Sequence, residues 1–128
     1  MQILIIEDKK SKLRLMKDIF ENEIGVPANE ISVALNLESA KRIISEHFAS
    51  LKIIVFDGRV PLSELNYELV TTIALVEETA KNGFLGLMIA NSGDLNNSLL
   101  VAGCNIAFDS VMFDTFSIFL QTIKDSLA

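Results

Sequence analysis

The sequence has few of the residues on which zinc, disulfide and serine-hydrolase sites depend. Its 128 residues include one cysteine, Cys104, and one histidine, His47. A single cysteine cannot form an internal disulfide, so we expect a reducing compartment, the cytoplasm. Neither residue has partners at the spacing of a zinc site, and no serine elbow is paired with the histidine. These absences argue against a zinc protein and against a serine hydrolase.

Glycine is rare near the N-terminus, and long apolar runs are missing. The first glycine is Gly25, so no Gly-rich loop follows the first apolar run, which excludes a Walker motif and a dinucleotide fingerprint. No apolar run approaches the roughly 18 residues that a membrane span requires. The first residues also lack the charged start and apolar stretch of a signal peptide. We therefore expect no membrane association and no secretion.

Positive charge is both scarce and unevenly distributed. The formal net charge is −6, which argues against a nucleic-acid partner because such a surface needs clustered Lys and Arg. No Lys or Arg occurs between Lys81 and Lys124. An early group of basic residues has helical spacing, which is typical of the solvated face of a helix. This group consists of Lys9, Lys10, Lys12, Arg14 and Lys17.

Short apolar runs that alternate with stretches of helical period predict five strands. Two of the runs, 3–6 and 53–56, are continuously apolar, which is typical of strands buried on both faces of a sheet. Residues 31–35 alternate larger apolar with small side chains, so this strand is predicted at a less buried edge. The remaining strands are predicted at 84–90 and 106–108.

A helix is predicted after each strand, which gives five β-then-α units in one domain, residues 1–128. The first helix is predicted to end at Gly25, and the third to carry Leu65 and Leu69 on its inner face. Strands that alternate with helices form parallel sheets covered on both faces. With the second strand at an edge, the favoured strand order is 2-1-3-4-5. The sequence thus predicts an α/β fold, a five-stranded parallel sheet with five helices on its two faces.

Acidic residues follow two strands that are neighbours in this order. Glu7 and Asp8 follow the first strand, and Asp57 follows the third. The topology reverses between these strands, and ligands bind outside the carboxyl ends of strands at such a point. Taken singly, each acid is equally well explained as a cap or turn residue. Three carboxylates that converge repel one another unless a cation compensates, and oxygen-only ligands favour Mg²⁺.

Two segments resemble the response-regulator receiver family of two-component signalling. Residues 3–8, ILIIED, resemble the family's first strand and acidic pair. Residues 53–61, IIVFDGRVP, resemble its third strand, its phosphoacceptor aspartate and the proline four residues later. Ala102 and Gly103, before the last predicted strand, also fit, and the likeness covers essentially the whole chain. The resemblance implies the flavodoxin-like receiver fold.

The resemblance also implies a signalling mechanism. Asp57 would accept a phosphoryl group from a histidine kinase or a phosphotransfer protein, with Mg²⁺ as cofactor. Activity would be limited to self-phosphorylation from a donor and autodephosphorylation, so the chain is not expected to be an enzyme. Without an effector domain, output would pass to a downstream protein target, and the family suggests a homodimer through the last strand and its flanking helices. The implied Mg²⁺ ligands are Glu7, Asp8, Asp57 and the backbone carbonyl of Arg59.

The sequence departs from the family where the phosphoryl group is contacted. The family's hydroxyl position falls on Ala90, and Asn91 and Ser92 are the nearby candidate phosphate contacts. The catalytic lysine after the fifth strand is absent. Arg59, a further candidate phosphate contact, and Lys10 are the candidates for restoring its charge. Because a charge-assisted contact is lost, we expect slower phosphorylation, weaker switching or both.

The sequence leaves three functions open. The first is a stand-alone receiver domain in a phosphorelay. The second is a phosphorylation-independent pseudo-receiver that acts as a protein–protein interaction module, with an apolar surface at residues 111–113. The third, a small-ligand α/β protein or hydrolase, is the weakest because no nucleophile–base pair is evident. The first is favoured because three clustered acids would cost stability in a protein that had no use for a cation.

Overall fold

A computed structural model describes residues 1–108 and 113–128 of the chain. A π-helical turn, Ile19–Ile24, extends the first helix, and a 3₁₀ turn, Ala28–Glu30, precedes the second strand. In chain order the strands and helices are β1 (Ile3–Ile6), α1 (Lys10–Asp18), β2 (Ile31–Ala34), α2 (Leu37–His47), β3 (Ile53–Phe56), β4 (Arg59–Pro61), β5 (Leu69–Thr71), α3 (Ile73–Lys81), β6 (Leu87–Ala90), α4 (Asn96–Ala102), β7 (Ile106–Ala107) and α5 (Phe113–Leu127).

Five strands form a parallel sheet in the order β2-β1-β3-β6-β7. Once the short β4–β5 hairpin is set aside, this is the predicted order 2-1-3-4-5, so the predicted α/β fold is confirmed. The edge position of β2 is also confirmed, and three of its four residues are only half-buried. Ile6 at the end of β1 pairs with Phe56 at the end of β3. Residues 7 and 57 therefore leave the sheet side by side.

Helices cover both faces of the sheet, as predicted. Alternate β1 side chains point to opposite faces, because the side-chain period of a strand is two residues. Leu4 and Ile6 pack in a core shared with α2, α3 and α4, whereas Ile3 and Ile5 pack in a second core with α1 and α5. All four side chains are fully buried. Burial of each such side chain is worth about 1.5–3 kcal/mol, which fixes the direction in which β1 delivers the residues after it.

Helix α1 is anchored by Met16 and, in the π-helical turn, Phe20, both of which are fully buried. The turn ends at Gly25, where φ is 89°, a left-handed conformation that glycine adopts without steric cost. The predicted end of the first helix at Gly25 is therefore confirmed for the helical segment as a whole. Lys12 lies four residues before Met16 and hence on the same side of the helix.

The predicted third helix is wrong in its first half. Residues 59–71 form an antiparallel hairpin, β4 and β5, and the helix begins only at Ile73. Leu65 and Leu69, predicted on the inner face, are 94% and 58% exposed. Pro61 disfavours a helix because it lacks an N–H, and the β-branched residues 70–72 favour a strand. The two leucines match helical spacing only by coincidence.

β6 is shorter than predicted. It begins at Leu87, and Leu85 is fully exposed. A Cβ atom at Gly86 would collide with the backbone carbonyl of Lys52, so the chain passes too close to the start of β3 to carry a side chain there.

Two expectations from the sequence concern residues that the structure does not describe. The position at which the family has its lysine falls within residues 109–112, where this sequence has none. The apolar surface was predicted at 111–113. Residues 109–112 lie outside the described residues, and the side chain of Phe113 is likewise not described. Within the described part of the chain, no helix is long and apolar enough to cross a membrane.

Candidate metal centre

Three carboxylates meet beyond the carboxyl ends of β1 and β3. One oxygen from each of Glu7, Asp8 and Asp57 lies within 4.8 Å of the other two. Glu7 and Asp57 are buried, with 1% and 6% of their surface exposed, and Asp8 is half-buried. The structure therefore brings together the three acids that the sequence singles out.

Backbone hydrogen bonds hold these acids in place. The Glu7 N–H donates to Ala34 O, and the Asp57 N–H donates to Ile6 O, each at 3.0 Å. Thr72, at the base of the hairpin, donates its hydroxyl to the Asp57 carbonyl at 2.6 Å. The acids are thus attached to the sheet on one side and to the hairpin on the other, so the spacing of their carboxylates is set by the fold.

Glu7 has a buried oxygen that accepts no hydrogen bond from the described residues. Its Oε2 accepts from the Lys9 N–H at 3.3 Å, whereas Oε1 has no hydrogen-bond partner among the described residues. Burial, and then the neighbouring Asp57 carboxylate, raise the pKa of Glu7 to about 7, while Lys12 acts in the opposite direction. A buried carboxylate oxygen without a hydrogen bond is costly. The Lys12 ammonium 3.3 Å from Oε1 balances its charge in part, so this position attracts positive charge.

Lys12 is the cation that contacts these acids in the described structure. Its Nζ lies 3.3 Å from Glu7 Oε1, though not in hydrogen-bond geometry, and 3.3 Å from Asp57 Oδ1. It also donates to the Asn91 carbonyl at 3.1 Å. The sequence assigns Lys12 to a solvated helix face, and for this residue the assignment is wrong. Its spacing of four from the apolar Met16 is compatible with an inward position, but Lys9 and Lys17 have the same spacing from Leu13, so the sequence does not single out Lys12.

Arg59 and Lys10, the two residues proposed to restore the lost charge, point elsewhere. Arg59 Nη1 donates to both carboxylate oxygens of Asp94, at 2.8 and 3.0 Å. The guanidinium lowers the pKa of Asp94, as expected for a direct ion pair. Lys10 is exposed at the start of α1. Of the three cations, Lys12 is the one placed on Asp57.

The candidate phosphate contacts after β6 lie beside Asp57. Asn91 and Ser92 are both buried, and the Asn91 N–H donates to Phe56 O at 2.8 Å. The Ser92 hydroxyl accepts from the Leu95 N–H at 3.2 Å. A Cβ atom on Gly58 would collide with the Ser92 hydroxyl oxygen, so the hydroxyl packs directly against the residue after Asp57. The segment therefore forms one wall of the acidic site.

The donor set fits Mg²⁺. The cluster offers carboxylate oxygens from Glu7, Asp8 and Asp57 in one place, including one buried oxygen that accepts no hydrogen bond from the described residues. Mg²⁺ binds through oxygen ligands and one or two carboxylates, with remaining positions left to water or phosphate. His47 pairs loosely with Glu46 on α2, and Cys104 is a buried free thiol before β7. Neither belongs to the cluster, so nothing in it favours zinc.

Comparison with known proteins gives a match in structure but not in sequence. No protein-family model and no curated protein matches the chain. The receiver domain of a Francisella response regulator superposes with a TM-score of 0.68 at 20% identity, covering 99% of this chain and 98% of that one. A response regulator receiver domain from Clostridium thermocellum gives 0.70 at 22% identity, covering 97% and 94%. This chain has the receiver fold.

A third match in the receiver fold comes from a complex with bound ligands. A chain of the CheX–CheY–BeF₃–Mg²⁺ complex from Borrelia burgdorferi superposes with a TM-score of 0.66 at 15% identity, covering 99% of this chain and 89% of that one. At these identities the likeness shows the fold alone. What the site does must therefore be argued from the residues of this chain.

Proposed function

We propose that the chain is a receiver domain of phosphorelay signal transduction that accepts a phosphoryl group on Asp57 with Mg²⁺. The observation that carries this proposal is the convergence of Glu7, Asp8 and Asp57 within 4.8 Å at the point where the sheet topology reverses. Among the described residues these acids form a negative cluster, buried at Glu7 and Asp57, with one oxygen that accepts no hydrogen bond. A site of this kind is suited to a divalent cation and a phosphoryl group.

Asp57 is arranged to act as a nucleophile. Its Oδ1 accepts from the Gly58 N–H at 2.8 Å and from Lys12, and neither of these donors contacts Oδ2. Oδ2 is therefore the oxygen available to attack phosphorus. The P–O bond to Asp57 forms as the P–N bond of a donor phosphohistidine breaks, and the electron pair leaves with the imidazole. The protein contributes positioning and charge screening more than covalent chemistry.

Bound Mg²⁺ would neutralise the phosphoryl oxygens during this transfer. Its ligands would be Glu7, Asp8, Asp57 and the backbone carbonyl of Arg59, which begins β4 two residues after Asp57. The proposed donors are a histidine kinase or a phosphotransfer protein, and the output would go to a downstream protein target. The buried free thiol of Cys104 supports a reducing compartment, the cytoplasm.

The decisive experiment is intact mass spectrometry after incubation with Mg²⁺ and a small phosphodonor such as acetyl phosphate. We expect one phosphoryl group on the unmodified chain and none on Asp57→Asn. Asp94→Asn is the matched control, because Asp94 is an exposed aspartate paired with Arg59 and lies outside the acidic cluster. Incorporation that persists in Asp57→Asn, or that is absent from all three proteins, would contradict the proposal.

One observation favours a second function, a phosphorylation-independent interaction module. Lys12 already places an internal positive charge beside Glu7 and Asp57, so part of the repulsion between the acids is relieved without a metal. Absence of both Mg²⁺ binding in a titration and phosphoryl incorporation would favour this second function. A homodimer through β7 and its flanking helices, α4 and α5, is compatible with either function, and sedimentation with and without phosphodonor tests it.

A further inference from the structure

We propose that Lys12 supplies, from helix α1, the positive charge that contacts the phosphoryl group on Asp57. The inference rests on the proposed function and assigns to Lys12 a role for which the sequence offers no residue after the last strand. The Lys12 ammonium group lies among oxygens of three segments of the chain. These are Glu7 after β1, Asp57 after β3 and the carbonyl of Asn91 after β6.

The position of Lys12 is built into the fold. Helix α1 begins four residues after β1 ends, and Met16, one turn beyond Lys12, is fully buried against the sheet. The packing of Met16 turns the Lys12 side of the helix toward the acids. Only 30% of the Lys12 side chain is exposed. Its ammonium is thus held at the site by core packing, unlike a lysine on a solvated helix face.

Charge and geometry both direct this ammonium to a phosphoryl group. An aspartyl phosphate adds negatively charged oxygens directly beside Asp57, where Lys12 Nζ already lies 3.3 Å from Oδ1. Arg59, two residues after Asp57, donates to both carboxylate oxygens of Asp94 instead. A lysine ammonium has three donors, so it can keep its contact to the Asn91 carbonyl and still bind a phosphoryl oxygen.

A purely structural role for Lys12 makes a different prediction. If the ammonium only separated Glu7 from Asp57, then its removal would leave a more negative cluster that binds Mg²⁺ more tightly. Phosphoryl incorporation at saturating Mg²⁺ would then be unchanged. If it contacts the phosphoryl group, incorporation must fall even at saturating Mg²⁺, because the metal cannot replace that contact. The rate at saturating Mg²⁺ therefore separates the two roles.

The test measures phosphoryl incorporation from acetyl phosphate against Mg²⁺ concentration for Lys12→Gln, Lys12→Arg and Lys10→Gln. Lys10→Gln removes the same charge from an exposed position on the same helix. We expect the saturating rate of Lys12→Gln to fall roughly ten- to a hundredfold, the range of one charge-assisted hydrogen bond. Lys12→Arg should recover most of the loss, and Lys10→Gln should match the unmodified chain.

A saturating rate for Lys12→Gln equal to that of the unmodified chain would overturn the inference and leave the proposed function intact. No phosphoryl incorporation by the unmodified chain would contradict both the inference about Lys12 and the proposed function. A second measurement does not depend on whether Lys12→Gln folds. In the unmodified chain with Mg²⁺, addition of beryllofluoride, a phosphoryl mimic, should shift the NMR resonance of Lys12 Cε, identified by its absence in Lys12→Arg. A resonance that beryllofluoride leaves in place would also overturn the inference.

Discussion

Glu7 is the residue at which stability and the proposed metal binding would be most directly coupled. Its carboxylate is buried beside Asp57, and these two causes, burial first, raise its pKa to about 7 from an ordinary value of 4.5. A raised pKa means that the folded chain holds a proton that the unfolded chain has already released. The charged form of Glu7 is therefore a source of instability that a cation can remove.

The pH dependence of stability follows from this shift. Between pH 4.5 and about 7 the folded chain binds more protons at Glu7 than the unfolded chain does, so Glu7's contribution to stability falls as pH rises. In metal-free buffer, Glu7→Gln should lose this pH dependence. Above pH 7 its free energy of unfolding should exceed that of the unmodified chain by on the order of 2–3 kcal/mol. Urea unfolding at pH 5 and pH 8 tests this prediction. A difference in free energy of unfolding that is the same at both pH values would contradict it.

Lys12 shows why the candidate site was only partly predictable from the sequence. Glu7 and Asp57 were predictable because each directly follows an apolar run, Asp8 comes next after Glu7, and the strand order places the two runs side by side. Lys12 belongs to a group of basic residues with helical spacing, and charge alone does not reveal which of them faces inward. Only the packing of Met16 distinguishes Lys12 from its neighbours.

The β4–β5 hairpin is the element that the sequence did not reveal. Its base is closed over the loop that begins at Asp57, because the Thr72 N–H donates to the Gly58 carbonyl at 3.0 Å and its hydroxyl donates to the Asp57 carbonyl. The continuous apolar runs of β1 and β3 specify strands unambiguously, whereas residues 62–69 mix leucines with polar residues at a spacing compatible with a helix. Tertiary hydrogen bonds at the hairpin base decide between the two.

Two substitutions distinguish the hairpin from the predicted helix. Val60 in β4 is fully buried, whereas Leu65 at the hairpin turn is 94% exposed. We expect Val60→Ala to lower the free energy of unfolding by about 1–3 kcal/mol. Leu65→Ala should change it by less than about 0.5 kcal/mol. Chemical denaturation measures both changes. An equal loss of free energy of unfolding in the two variants would indicate that Leu65 packs inward.

In the molecule as a whole, the sheet positions the three acids and a helix positions the cation that contacts them. β1 and β3 carry Glu7, Asp8 and Asp57 to one point, α1 brings Lys12 to them, and the loop after β6 closes the far side. Solved receiver domains share this fold at 15–22% identity. The strand order was predictable because both-face burial and edge exposure leave clear apolar patterns. The arrangement of charges was not, since it depends on which side chains the packing turns inward.

The central claim is that the three acids share one divalent cation. Calorimetric titration of the metal-free chain with Mg²⁺ tests it directly, with Asp8→Asn as the variant that removes a ligand and Asp94→Asn as the control outside the cluster. We predict one bound Mg²⁺ per chain, an affinity at least about tenfold weaker in Asp8→Asn, and no change in Asp94→Asn. Equal affinity in all three proteins, or no binding by the unmodified chain at millimolar Mg²⁺, would contradict the account.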